Sequence, residues 1–125
     1  MQKRRVKMAG LKIRMKKLGD GAVLLVVSGY LDAHTFEEME KVMERLFDAN
    51  IYKIIVDMSQ LSYISSAGAG VFISKVGQAT ENGGNIVFLR PSEPVMEVFD
   101  LLGLTQIFPI VYSEKEALAQ FGLAP

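Results

Sequence analysis

Apolar and charged residues alternate early in the chain, Leu11, Ile13 and Met15 against Lys12, Arg14 and Lys16. A period of two reads as a half-buried strand with a charged outer face. The charges suit an edge strand, because lysine discourages pairing with other chains. Gly19-Asp20-Gly21 is a turn signal. Ala22 to Val27 is then almost wholly apolar and β-branched, the pattern of a central strand covered on both faces. Together the two segments predict a hairpin.

The period then changes. Phe36, Met39, Val42, Met43, Leu46 and Phe47 form one stripe, with Glu37, Glu38, Lys41, Glu44, Arg45 and Asp48 off it. This is an amphipathic helix. Thr35 and Glu38 have capping-box spacing at its start, and Asn50 marks its end. Tyr52 to Met58 reads as a buried strand. A second helix buries Phe72, Ile73 and Val76 and stops before Asn82-Gly83-Gly84. Asn85 to Leu89 is the next strand. Arg90-Pro91-Ser92-Glu93-Pro94 turns into a third helix that buries Val95, Val98, Phe99 and Leu102, with Gly103 as its stop. Gln106 to Val111 is a short last strand, interrupted by Pro109 and so at an edge. Ser113 and Glu116 repeat the capping-box spacing before a C-terminal helix carrying Ala117, Leu118 and Phe121. After the hairpin, strands and helices alternate, which implies right-handed crossovers and a largely parallel sheet. The fold class is α/β.

Between the strand at Ile54-Ile55-Val56 and the second helix lies Tyr63-Ile64-Ser65-Ser66-Ala67-Gly68-Ala69-Gly70. It reads as a loop that leaves a buried strand and opens a helix. Ser65 and Ser66 stand where their hydroxyls meet the first free backbone N–H groups. Glycine inside a helix costs about 1 kcal/mol against alanine, so two in one turn suggest close approach by another surface. The plainer alternative is a capped helix packed tightly on its own sheet.

Composition narrows the function. The chain has 125 residues, half of them hydrophobic, a formal net charge of zero, one histidine and no cysteine. That length fits one domain with a real core. Without cysteine there are no disulfides, thiolate metal sites or cysteine nucleophiles, which fits a reducing compartment. No apolar run approaches the roughly 20 residues that cross a bilayer, and no apolar h-region marks a secretory signal. The chain is therefore expected to be soluble and cytoplasmic. Residues 1–10 are read as a basic disordered leader, and 11–122 as the domain. The leader has no aromatic residues among its charges, so a solvated tail is favoured over direct nucleic-acid or membrane binding. No P-loop glycine pattern, acid–base dyad, nucleophile elbow or metal cluster appears, and no enzyme activity, metal or cofactor is expected.

Residues 11–122 resemble the STAS domain family, the fold of bacterial anti-sigma factor antagonists. The marks are Gly29-Tyr30-Leu31-Asp32 running into Thr35, Val56-Asp57-Met58-Ser59, the Tyr63–Gly70 stretch, Leu101-Leu102-Gly103-Leu104 and Ile107-Phe108. The resemblance implies a mixed, mostly parallel five-stranded sheet with four helices and an antiparallel first edge strand. The family pattern is aspartate, serine, serine or alanine, glycine, leucine, glycine. Here Ser65 occupies the aspartate position, and Ser66 the serine that a partner kinase phosphorylates. Ala67 is a tolerated small residue, Gly68 and Gly70 match, and Ala69 replaces the leucine. Losing the aspartate removes a charge beside the phosphorylation site and makes Ser65 a rival acceptor. Losing the leucine removes volume that Phe72 or Val71 is expected to fill.

By that resemblance, the unphosphorylated protein binds an anti-sigma factor that is also a serine kinase, and so frees a sigma factor. Phosphorylation of Ser66 switches it off, and a serine phosphatase restores it. Asp32, His34, Thr35, Ser65, Ser66, Ala67, Gly68 and Ala69 are the implied partner-binding residues. For Asp32, a cap on the first helix is an equal alternative, and His34 reads more simply as a solvated loop residue. Asp57 is read as a turn and strand-end acceptor, and Arg90 as a local salt-bridge partner. The departures keep a second reading open, in which the domain is a non-switching scaffold or ligand-binding module in a stress-signalling or lipid-transport assembly.

Overall fold

The computed structural model describes residues 10–125, so the expected leader lies outside them except for Gly10. Gly10 is tied to the domain, since its carbonyl accepts from Tyr30 N–H at 3.1 Å. The alternating segment forms β1, Leu11–Gly19, and the apolar run forms β2, Ala22–Leu31. Gly19, Asp20 and Gly21 turn the chain with φ of 90°, 51° and 76°. Glycine reaches that region without strain and aspartate tolerates it. The remaining elements are α1 (Phe36–Asp48), β3 (Lys53–Ile64), α2 (Ser66–Glu81), β4 (Asn85–Leu89) and α3 (Glu93–Leu102). A 3-10 turn (Leu104–Gln106), β5 (Ile110–Val111) and α4 (Glu114–Ala119) complete the chain.

The strand order is β1-β2-β3-β4-β5, with β1 antiparallel to β2 and the other pairs parallel. Successive parallel strands step in one direction, so right-handed crossovers put every crossover helix on one face. Met39 and Met43 of α1, Phe72 of α2 and Phe99 of α3 accordingly share one core with Leu25, Val56 and Phe88 of the sheet. Phe88 is its centre, with ring centroids 5.0 Å from Phe72, 4.9 Å from Phe99 and 4.8 Å from Phe108. Ala69, Val71 and Phe72 are all buried there. Helix α4 comes after the last strand and covers the other face, where Ala117 and Leu118 meet Leu24, Ile55, Val87 and Leu89. The expected five-stranded sheet, four helices and antiparallel edge strand are all present.

Several local expectations need correction. Strand β3 does not end near Met58 but runs to Ile64 beside β2. Its buried residues Met58, Leu61 and Ile64 are spaced by three, which hides a strand from a period-two reading. Register shifts in the β2–β3 pairing, between Val26 and Ser28 and between Gly29 and Tyr30, absorb the extra residues. Most of the expected loop is therefore strand and helix. Ile73 is 43% exposed rather than buried, because it lies about 100° round the helix from Phe72. Leu102 is also exposed, and Leu104 beyond the left-handed cap at Gly103 (φ 72°) fills the core instead. The last strand shrinks to Ile110–Val111, since Leu104–Gln106 coils into the 3-10 turn and Pro109 offers no N–H. The Thr35–Glu38 capping box does not form. At α4 the forward half forms, Ser113 Oγ accepting from Glu116 N–H at 3.1 Å, while the Glu116 carboxylate accepts from Tyr112 N–H, one residue before the cap, at 2.9 Å.

Candidate functional site

Leu31 and Ile64 are register partners at the carboxyl ends of β2 and β3. The segments leaving these two strands therefore emerge side by side, where α/β sheets carry their sites. Ser65 N–H donates to the Leu31 carbonyl at 3.0 Å. A Cβ on Gly68 would run into that same carbonyl and the Leu31 side chain, so only glycine lets α2 start this close to β2. Gly70 differs, because a Cβ there would meet nothing within 4 Å. Of the two readings of this glycine-rich turn, packing on its own sheet explains Gly68. Gly70 leaves bare outer surface.

The turn after β2 is held from inside. Thr35 is 7% exposed. Its hydroxyl donates to the Tyr30 carbonyl at 2.8 Å and accepts from Asp32 N–H at 3.0 Å. These bonds use the oxygen that a helix cap would need. Asp32 does not cap α1 with its side chain either. Its carboxylate accepts from His34 N–H at 2.9 Å, an Asx turn that fixes the half-buried acid beside the start of α2. His34 is exposed.

The turn after β3 faces outward. Ser65 is extended (φ −100°, ψ 173°), and its Oγ accepts from Gly68 N–H at 3.2 Å, the N-cap of α2. Ser66 is the first helical residue, and it is exposed. Its hydroxyl makes no hydrogen bond among the described residues. No acidic residue occupies the first turn of α2. Of the eight residues expected to face a partner, Asp32, His34, Ser65, Ser66 and Ala67 reach the surface. Thr35, Gly68 and Ala69 are buried and shape the site from beneath.

Sequence reasoning passed over three exposed apolar neighbours. Tyr30 and Tyr63 are register partners whose rings lie 6.4 Å apart, each nearly half exposed. Leu31 and Ile64 point into the helix-covered core, so the tyrosines project from the opposite face. Their odd-even offset from those two residues was the available signal. Ile73 adds an aliphatic side chain to the outer side of α2.

Further back on β3, Asp57 accepts from Ser59 N–H at 2.9 Å and pairs with Arg90 at 2.9 Å. Burial alone would raise its pKa. The Ser59 hydrogen bonds and the Arg90 guanidinium outweigh that and hold it below the ordinary carboxylate value. Arg90 is thus a salt-bridge partner and Asp57 an acceptor, as read from the chain, but Asp57 lies within β3 rather than at a strand end. Among the described residues no helix is long and apolar enough to cross a membrane. No group of three or more His, Asp or Glu among them is placed to hold a metal ion.

Residues 13–117 match the family model of the STAS domain. Among named relatives, BtrV of Bordetella bronchiseptica is 30% identical over 114 residues, covering 91% of this chain and 97% of BtrV. It is provisionally named an anti-sigma factor antagonist. The anti-sigma-B factor antagonist of Staphylococcus epidermidis is 29% identical, covering 67% of this chain and 78% of its own. The anti-sigma factor antagonist SpoIIAA in its unphosphorylated form superposes with a TM-score of 0.75 at 24% identity, over 87% of this chain and 95% of SpoIIAA. The phosphorylated form of SpoIIAA, described as a Bacillus cell fate determinant, gives 0.69 at 23% identity over 87% and 98%.

Proposed function

Because the chain belongs to the STAS domain family, we propose that it is an anti-sigma factor antagonist whose paired turns bind an anti-sigma factor. In this reading the unphosphorylated form binds and so releases a sigma factor. Phosphorylation of Ser66 by the partner, a serine kinase, ends the binding, and a phosphatase reverses it. The protein acts by association rather than by catalysis.

The observation that carries the reading is the contrast between two adjacent hydroxyls. Ser65 is half-buried and holds the N-cap, whereas Ser66 is exposed and uncommitted. A kinase can reach Ser66 without undoing a cap, so Ser66 is preferred over Ser65 as acceptor. A phosphate there adds about −1.5 to −2 charges at neutral pH. The positive end of α2 accommodates such charge by about 0.3–1 kcal/mol, so the domain keeps its fold. A docked partner would instead have to desolvate a dianion in a close interface. The surface around it suits protein contact, with bare Ala67 and Gly70 flanked by the exposed Ile73 of the same helix.

The test is to incubate the protein with ATP and an anti-sigma factor kinase from its own cells, map the phosphate, and measure binding before and after. One phosphate at Ser66, with binding lost in both the phosphoprotein and Ser66→Asp, is the expected result. Undiminished binding by both would overturn the switch. No phosphate at either serine would favour the non-switching module, for which the serine at position 65 in place of the family aspartate is the supporting observation.

A further inference from the structure

Between the edge strand β1 and helix α1 lies an open groove of about 360 Å³. Its walls are mostly apolar, from Ile13 and Met15 on the strand and Val42 and Leu46 on the helix, with Ile51 beyond the helix end. Two cations stand in the same lining, Lys17 and Arg45. It runs on past Ile13 and Arg45 into a smaller hollow that adds Lys41 and one acid, Glu38. The hydrophobic core does not close this space, since Met15 is 53% exposed and Val42 only half-buried. Nor is the charge consumed locally. The ion pairs among the described residues are Lys75–Glu44 and Arg90–Asp57, and neither involves Lys17 or Arg45.

An apolar trough with a cationic rim selects a molecule that is long, apolar and anionic at one end. The volume falls in the range of small-ligand sites, roughly 300–1,000 Å³. Along β1 from Ile13 to Lys17 the groove spans about 13 Å. The chain before Gly10 carries Lys3, Arg4, Arg5 and Lys7, the same sign as the rim, so charge disfavours it as the occupant. We propose that this groove binds a free fatty carboxylate. The alkyl chain lies on Ile13, Met15, Val42 and Ile51. The carboxylate pairs with the Arg45 guanidinium, whose planar fork matches it. The site is separate from the paired turns and does not rest on the function proposed for them.

The probe is decanoate, kept below its micelle concentration and added to the full chain. Decanol and decyltrimethylammonium serve as neutral and cationic controls. Decanoate is expected to raise the melting temperature and to shift the amide signals of Ile13, Val42 and Ile51. Decanol should bind about tenfold more weakly or worse, through loss of a charged hydrogen bond. The cation should not bind. Arg45→Gln should weaken decanoate by a similar factor, and Met15→Glu should abolish binding. Both residues are exposed, so circular dichroism should show each variant folded. Equal binding of all three probes, or parent-like affinity in either variant, would overturn the proposal. So would a protein that ignores decanoate but forms dimers that Met15→Glu dissociates, because the groove would then belong to a second copy.

Discussion

The turns after β2 and β3 stand side by side, and each puts a hydroxyl residue at the N-cap position of the next helix. They use it in opposite ways. Thr35 is buried and spends its hydroxyl on the Tyr30 carbonyl and the Asp32 amide. Ser65 caps its helix, and the next residue presents a second hydroxyl outward. One turn is a clamp and the other a display. Burial separates the two: a hydroxyl closed off from water must satisfy itself within the chain, whereas one at the rim can stay open to chemistry.

The sharpest way to break this contrast is at the glycines of α2. Gly68→Ala drives a methyl into the Leu31 backbone carbonyl, which cannot move cheaply. A loss of about 3 kcal/mol is expected in urea unfolding. Gly70→Ala meets open space and should stabilise by up to about 1 kcal/mol, through helix propensity alone. Next in size, Thr35→Val leaves the Tyr30 carbonyl and the Asp32 amide without their partner. About 1–3 kcal/mol should be lost, with faster amide exchange across residues 32–35. Ser65→Ala removes the cap and should cost about 1 kcal/mol. Ser66→Ala should change stability by less than about 0.5 kcal/mol while abolishing phosphate uptake. Similar losses at both serines would erase the distinction between cap and display.

The smallest effect lies on β3, outside both turns. The lowered pKa of Asp57 means that its charged form stabilises the fold at pH above the ordinary value of 3.8. That contribution is lost as the pH falls through the lower folded-state value. Asp57→Asn should therefore melt below the parent at neutral pH, with the gap shrinking in acid. The difference should be modest, because the Arg90 side chain is 42% exposed and solvent screens the pair.

Much of this was legible in the sequence. The period-two start, the stripe from Phe36 to Phe47 and the Asn85–Leu89 run each became the element expected. Gly103 stopped its helix through a left-handed cap, and Ser113 opened the last one. Such features depend on residues a few positions apart, so the chain encodes them locally. The serine-glycine stretch also stood where a strand gives way to a helix, so Ser65 and Ser66 could be singled out before any coordinates.

Long-range packing decided the rest. Register shifts against β2 carry β3 six residues beyond its expected end, through Ser59–Ile64, the last two of which read as loop in the chain. Spacing alone gave Thr35 and Ser113 the same role, and burial beside β2 took the hydroxyl of Thr35 for the backbone. Gly68 and Gly70 look alike in the chain, yet only Gly68 has a neighbouring strand pressed against it. The groove between β1 and α1 joins residues more than twenty-five positions apart, as Ile13 and Val42 show. Local preference sets which elements form and where each begins or ends. Which of their side chains are sealed in and which stay outside is set only once the sheet is assembled.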